Sequence, residues 1–210
     1  TSYTYRPDGQ PETTTDPKGH VTTTKYSATT GRPYEITESG RSIGLGYDGA
    51  GNLNTLNLAG DATSYTYDAK GTRISETDGN HALISYAFDS NGRETKKTWT
   101  RTLADGSTRT PTETTGYDQE GRALTHANAL GHITKTNYNA AGKPVNETDA
   151  RGYVTTTSYD SNLRPVRVDY ADSTFETIGF DANGNVTQKT DRQGHSTQTQ
   201  YDALNRVVKV

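Results

Sequence analysis

The chain has 210 residues, a hydrophobic content of 29% and a mean hydropathy of −0.94. So little apolar material excludes a thick central core and, taken alone, leans toward disorder. A net charge of −3 with no basic stripe offers no nucleic-acid surface, the lack of Cys excludes disulfides and thiol chemistry, and no apolar run approaches membrane-spanning length.

The chain opens on alternating Ser2-Tyr3-Thr4-Tyr5, and the aromatic that ends this segment recurs. Anchors stand at Tyr5, Tyr26, Tyr47, Tyr67, Phe88, Tyr117, Tyr138, Tyr159, Phe180 and Tyr201. Seven of the nine intervals are 21 residues, one is 20 and one is 29, so one supersecondary unit is copied along an array. Fourteen Tyr residues supply large rings with a polar tip, suited to a thin, half-wet sheet. The chain begins and stops inside a repeat, which reads as a piece of a longer protein.

Each unit predicts two strands and two turns. In the type unit, Asn139-Ala140-Ala141-Gly142 is a turn, 143–148 a strand, Asp149-Ala150-Arg151-Gly152 a second turn, and 153–159 the return strand. An Asx residue suits position i of a type I turn, and Gly at i+3 takes the left-handed conformation that closes a bulged hairpin. The first turn recurs at Asp48–Gly51, Asp68–Gly71, Asp89–Gly92, Asp118–Gly121 and Asp181–Gly184. The second recurs at Asp16–Gly19, Asn128–Gly131 and Asp191–Gly194.

Period-two pairs such as Tyr3/Tyr5, Tyr65/Tyr67, Tyr86/Phe88 and Ile178/Phe180 place large groups on one face. Val145, Ile74, Leu53, Val166 and Val186 are assigned matching places after the first turn. β-Branched runs such as Thr22-Thr23-Thr24 favour strand over helix. The expected fold is therefore all-β, an antiparallel meander of about 18 strands spanning on the order of 85 Å. Twist and exposed edges argue that such a strip curls into one arc of a larger shell.

Candidate chemical sites dissolve into this pattern. Gly44-Leu45-Gly46-Tyr47-Asp48-Gly49 spells a dinucleotide fingerprint, but no helix is predicted after it. His20, His132 and His195 follow second-turn glycines and His81 lies near the same place, separated by the sheet, so no metal site is expected. Asp16-Pro17-Lys18-Gly19 sits in ordinary turn register, with Pro at i+1. No catalytic set and no cofactor site is expected. Arg32, Arg93, Arg122, Arg164 and Arg206, with Lys143, follow the first-turn Gly, where pairing with a turn Asp or stacking on Tyr is expected.

The real irregularity is the long interval from Phe88 to Tyr117. Its eight extra residues centre on Leu103-Ala104-Asp105-Gly106-Ser107, and Asp-Gly predicts a two-residue hairpin with both strands extended across 93–116. Trp99, the single Trp, lies here with Lys96, Lys97, Arg101 and Arg109, so Trp99, Arg101, Asp105 and Gly106 mark a candidate partner contact.

Tyr117-Asp118-Gln119-Glu120-Gly121-Arg122, Phe88-Asp89-Ser90-Asn91-Gly92-Arg93 and Phe180-Asp181-Ala182-Asn183-Gly184-Asn185, the last followed by Thr190-Asp191-Arg192-Gln193-Gly194, resemble the RHS (YD) repeat. The resemblance covers the whole chain, 1–210, although Tyr26 lacks the Asp and Leu163 replaces a Gly. It implies a hollow, spiralling β-sheet shell, as in bacterial polymorphic toxins (type VI secretion effectors among them), the C component of insecticidal toxin complexes, and teneurin adhesion receptors. The implied partners are the remaining repeats of the parent chain and an enclosed C-terminal toxin domain, with secretion-system or chaperone proteins beyond them. The implied location is secreted or cell-surface. The expected function is structural sequestration, and the alternative is an adhesive module binding protein or carbohydrate.

Overall fold

The computed structural model describes residues 1–210, and every regular element in it is a strand. Two units are distinguished, Thr1–Pro111 and Thr112–Val210.

The first unit is a meander of β1 (Ser2–Tyr5), β2 (Pro11–Thr15), β3 (Val21–Tyr26), β4 (Pro33–Glu38), β5 (Arg41–Tyr47), β6 (Leu53–Leu58), β7 (Asp61–Tyr67), β8 (Arg73–Thr77), β9 (Leu83–Phe88) and β10 (Glu94–Trp99). Each strand pairs antiparallel with its sequence neighbour. A separate two-stranded ribbon follows, β11 (Arg101–Thr102) with β12 (Thr108–Arg109).

The second unit repeats the plan with β13 (Thr112–Tyr117), β14 (Ala123–Ala127), β15 (Ile133–Tyr138), β16 (Pro144–Thr148), β17 (Val154–Tyr159), β18 (Pro165–Asp169), β19 (Phe175–Phe180), β20 (Val186–Thr190) and β21 (Ser196–Gln198). It ends on the small hairpin of β22 (Gln200–Tyr201) and β23 (Val207–Lys209).

No residue of the chain is buried, polar or apolar. Order therefore rests on ladders, turns and half-covered rings rather than on a packed interior. Tyr3 and Tyr5 stack obliquely at 6.3 Å between centroids, and Tyr86 and Phe88 at 6.4 Å, as period-two placement on one face requires.

The register corrects one assignment. Leu53 and Val186 lie directly opposite the anchors Tyr47 and Phe180. Val145, Ile74 and Val166 stand one residue later, after Pro144, Arg73 and Pro165, which themselves face Tyr138, Tyr67 and Tyr159. One residue in a strand is the opposite face, so these five are two sets and not one.

The second turns are also more varied than the Asx-x-x-Gly pattern. Ser39-Gly40 and Ala59-Gly60 are two-residue turns with both φ values positive, 48° and 79°, then 55° and 104°. That matches the mirror-image turn favoured in tight hairpins. His81 and Ser173 occupy the place of the closing Gly at φ 62° and 66°. His81 thus closes its turn rather than following it.

Candidate functional site: the margin where repeats join

Each first turn begins at an aromatic anchor and is closed in the same way. The Gly N–H donates to the Asp carbonyl, as from Gly51 to Asp48 at 3.0 Å and from Gly92 to Asp89 at 3.0 Å. The Asp N–H then donates to the carbonyl of the residue after the Gly. Gly51, Gly71, Gly92, Gly121, Gly142 and Gly184 hold φ between 77° and 94°, the left-handed region a β-carbon disfavours. A register shift accompanies each turn, as between Gly46 and Tyr47 and between Gly116 and Tyr117.

The Asp carboxylate finishes the turn. One oxygen of Asp89 accepts the N–H groups of Asn91 and Arg93, and the other accepts Arg93 Nε at 2.6 Å. Asp118 and Asp160 bind Arg122 and Arg164 in the same manner at 2.6 and 2.7 Å. Asp68 accepts from Lys70 and Thr72, and Asp48 and Asp181 take both the backbone and the side-chain amide of Asn52 and Asn185. The Arg93 N–H and then its guanidinium hold Asp89 below the usual carboxylate range against partial burial. Burial pushes Asp118 up, but the Arg122 N–H and guanidinium outweigh it and the net shift is down. The carboxylates are thereby fixed as acceptors and are poor proton donors.

The residue after the one that closes the turn, a Gly or, before Arg164, Leu163, also reaches forward to the next repeat. Arg32 stacks 5.3 Å from the Tyr47 centroid, Arg122 lies 4.8 Å from Tyr138, and Arg164 lies 4.3 Å from Phe180. The same side chains press on the next turn glycine. The Arg32 guanidinium occupies the space a β-carbon on Gly51 would take, and a β-carbon at Gly142 or Gly184 would meet Arg122 or Arg164 at 3.4 or 3.5 Å. Second-turn Gly19, Gly131, Gly152 and Gly194 have nothing within 4 Å of that point.

A second strap runs back. The hydroxyls of Tyr26, Tyr67, Tyr138, Tyr159 and Tyr201 donate to the carbonyls of Pro11, Leu53, Ala123, Pro144 and Val186 at 2.7–3.0 Å. Each acceptor lies one residue beyond the position that directly follows a first turn, namely Gln10, Asn52, Arg122, Lys143 and Asn185.

Gln10 and Asn185, not singled out by residue type, serve where Arg is absent. Gln10 Nε2 donates to the Gly31 carbonyl at 2.9 Å, and Asn185 Nδ2 donates to Asn205 Oδ1 at 2.8 Å. The signal was positional: both follow the last residue of a first turn, whatever their type. At Tyr26, where the Asp is lacking, the turn is one residue longer, and Ser27 Oγ accepts from Thr29 and Thr30.

The other candidates resolve individually. Gly44 and Gly46 lie in β5 and Gly49 in a turn, with no helix following. His20 and His195 pair with Asp16 and Asp191 of their own turns at 2.9 and 3.2 Å, and the His132 N–H bonds Asn128. No three metal-ligating side chains converge.

The long hairpin differs from its expectation. Leu103 N–H donates to Ser107 and Gly106 N–H to Leu103, with Gly106 at φ 80°. Asp105-Gly106 therefore fills the last two places of a four-residue turn rather than forming a two-residue one. The strand is interrupted at Thr100, between β10 and β11, and the Thr100 N–H adds one more bond to β9 at the Leu83 carbonyl. Trp99 sits at the root of the ribbon, opposite Ile84 and 5.7 Å from Lys97, while Arg101, Asp105 and Gly106 lie exposed beyond it.

The second-turn margin of the second unit carries one feature the sequence did not suggest. Tyr153, Tyr170, Asp149, Asp172, Arg151 and Arg192 line an open cleft of about 360 Å³. Arg151 stacks on Tyr153 at 5.0 Å, and Arg192 stacks on Tyr170 at 4.0 Å while bonding Asp172 at 2.6 Å.

The RHS Repeat family model matches residues 138–174 and 180–210. No curated protein matches the sequence. Among solved structures, a TcdB2-TccC3-TEV crystal structure is similar at TM-score 0.53 and 12% identity, over 96% of this chain and 12% of that one. The Photorhabdus luminescens Tc holotoxin pore matches at TM-score 0.47 and 14% identity, over 98% of this chain and 13% of that one. The chain thus spans about an eighth of the length of these two matched chains, and the first likeness establishes a shared fold.

Proposed function

Because this chain is an RHS-repeat protein, we propose that it is a wall segment of a β-sheet shell in a secreted bacterial toxin, enclosing a C-terminal toxin domain until delivery. The observation that carries this reading is the margin itself. Its carboxylates, guanidiniums and tyrosyl hydroxyls are committed to closing turns and strapping one repeat to the next. Side chains used this way are structural, which supports a place in the shell wall. The likeness of fold to a TccC3-containing structure supports a toxin-associated shell.

Limited proteolysis of the whole parent protein tests the proposal. A C-terminal segment that resists protease until denaturant is added supports enclosure. A segment that digests at once while the array survives removes it.

A second reading, an adhesive module, is favoured by the exposed Tyr153 and the cleft it shares with Tyr170. It predicts direct binding of a protein or glycan by the array itself.

A further inference from the structure

Ten of the thirteen arginines have a carboxylate or an aromatic ring as partner. Arg101 and Arg109 have neither, and they are directly opposed on the β11–β12 ribbon. Opposed residues of an antiparallel pair share a face with β-carbons about 5 Å apart, where like charges destabilise the pair. Nothing in the fold requires this: both side chains are exposed, and the sheet is complete without the ribbon. Residues 94–111 carry four cations against two carboxylates in a chain of net charge −3. One of those carboxylates, Asp105, is already used to cap the ribbon turn through Ser107.

We propose that the Arg101/Arg109 ribbon is a docking element for an acidic, extended polypeptide segment. Two guanidiniums on one face clamp a carboxylate, which relieves their mutual repulsion. A polypeptide is favoured over other anions because β11 and β12 pair only with each other, so the ribbon presents open backbone edges to which a strand can add. In such a strand every second residue returns to the same face, so carboxylates alternating with neutral residues meet the arginines in register. Trp99 at the root is the built-in reporter, being the single Trp of the chain. The inference goes beyond the shell proposal and does not depend on what a shell encloses.

The test uses the full chain and a labelled peptide alternating Glu and Thr, read by anisotropy and by Trp99 fluorescence. Binding should weaken with salt and fall at least about tenfold in the Arg101→Glu/Arg109→Glu variant. The Arg101→Gln/Arg109→Gln variant, checked for an unchanged circular dichroism spectrum and thermal midpoint, should lose affinity too. Arg41→Gln, at another arginine without a partner, should bind as the parent does. Equal binding by the double variants, or by a peptide with Gln in place of Glu, overturns the proposal. So does tighter binding of an oligothymidylate of the same charge, which would point to a phosphate ligand.

Discussion

Arg164 lies 4.3 Å from the ring centroid of Phe180 while its guanidinium is held by the carboxylate of Asp160, so one side chain both closes its own turn and caps the anchor of the next repeat. Where no residue is buried, such a bridge takes the place of core packing. Stability in this array is then a sum of turn closure and nearest-neighbour contacts.

Arg164→Ala removes both halves of the bridge. It should lower the urea midpoint, because an ion pair and a cation–π contact are lost together. Arg151→Ala, whose side chain is 77% exposed and whose partners Asp149 and Tyr153 both belong to its own repeat, should cost less. Urea unfolding of the two variants compares them.

Turn glycines covered by a side chain should separate on substitution from those that face open space. Gly19→Ala meets only the left-handed backbone penalty, about 1–2 kcal/mol. Gly51→Ala meets that penalty and must also displace Arg32 from Tyr47. Its thermal midpoint should therefore fall further than that of Gly19→Ala, and a double change with Arg32→Ala should recover part of the difference.

Tyr159→Phe leaves the ring and removes the 2.7 Å bond to the Pro144 carbonyl. The expected loss is about 1 kcal/mol. Phe occupies the same position naturally at Phe88 and Phe180, so the fold should persist. Hydrogen exchange should rise locally at the β16 end of the turn.

The turn carboxylates set the pH dependence. Asp89 is lowered chiefly by the Arg93 N–H, Asp160 by the Arg164 N–H and Asp202 by the Arg206 N–H. A carboxylate lowered on folding contributes stability that is fully present above its unfolded value, near pH 3.9. That contribution is lost as pH falls through the lower folded value. Denaturation midpoints should therefore be flat from neutral pH to about 5 and drop below about 4. Asp89→Asn with Asp160→Asn should reduce the drop.

The strand pairs, the bulged first turns and the lack of helix were legible because period-two alternation and Asx-x-x-Gly spacing act locally. Arg stacking was anticipated, but its direction was not, since nothing in a linear sequence says that Arg122 reaches Tyr138 rather than Tyr117. Val145 and Leu53 were merged because their side-chain types agree, while a single residue of register separates them. The Tyr153–Tyr170 cleft was invisible because it arises where two turns 21 residues apart each depart from the pattern differently. Tyr153 follows a Gly, whereas Tyr170 takes the place of the Asp. Asp105-Gly106 was misread because the dipeptide fits two turn classes, and Leu103, hydrogen-bonded to Ser107, selects the longer one.

The most direct test of the wall reading is electron cryomicroscopy of the parent protein. A closed β-shell is expected, with these repeats in its wall, the Arg–aromatic margin running along consecutive turns, and additional non-repeat density inside. An open sheet with both faces in solvent and no enclosed density would contradict it.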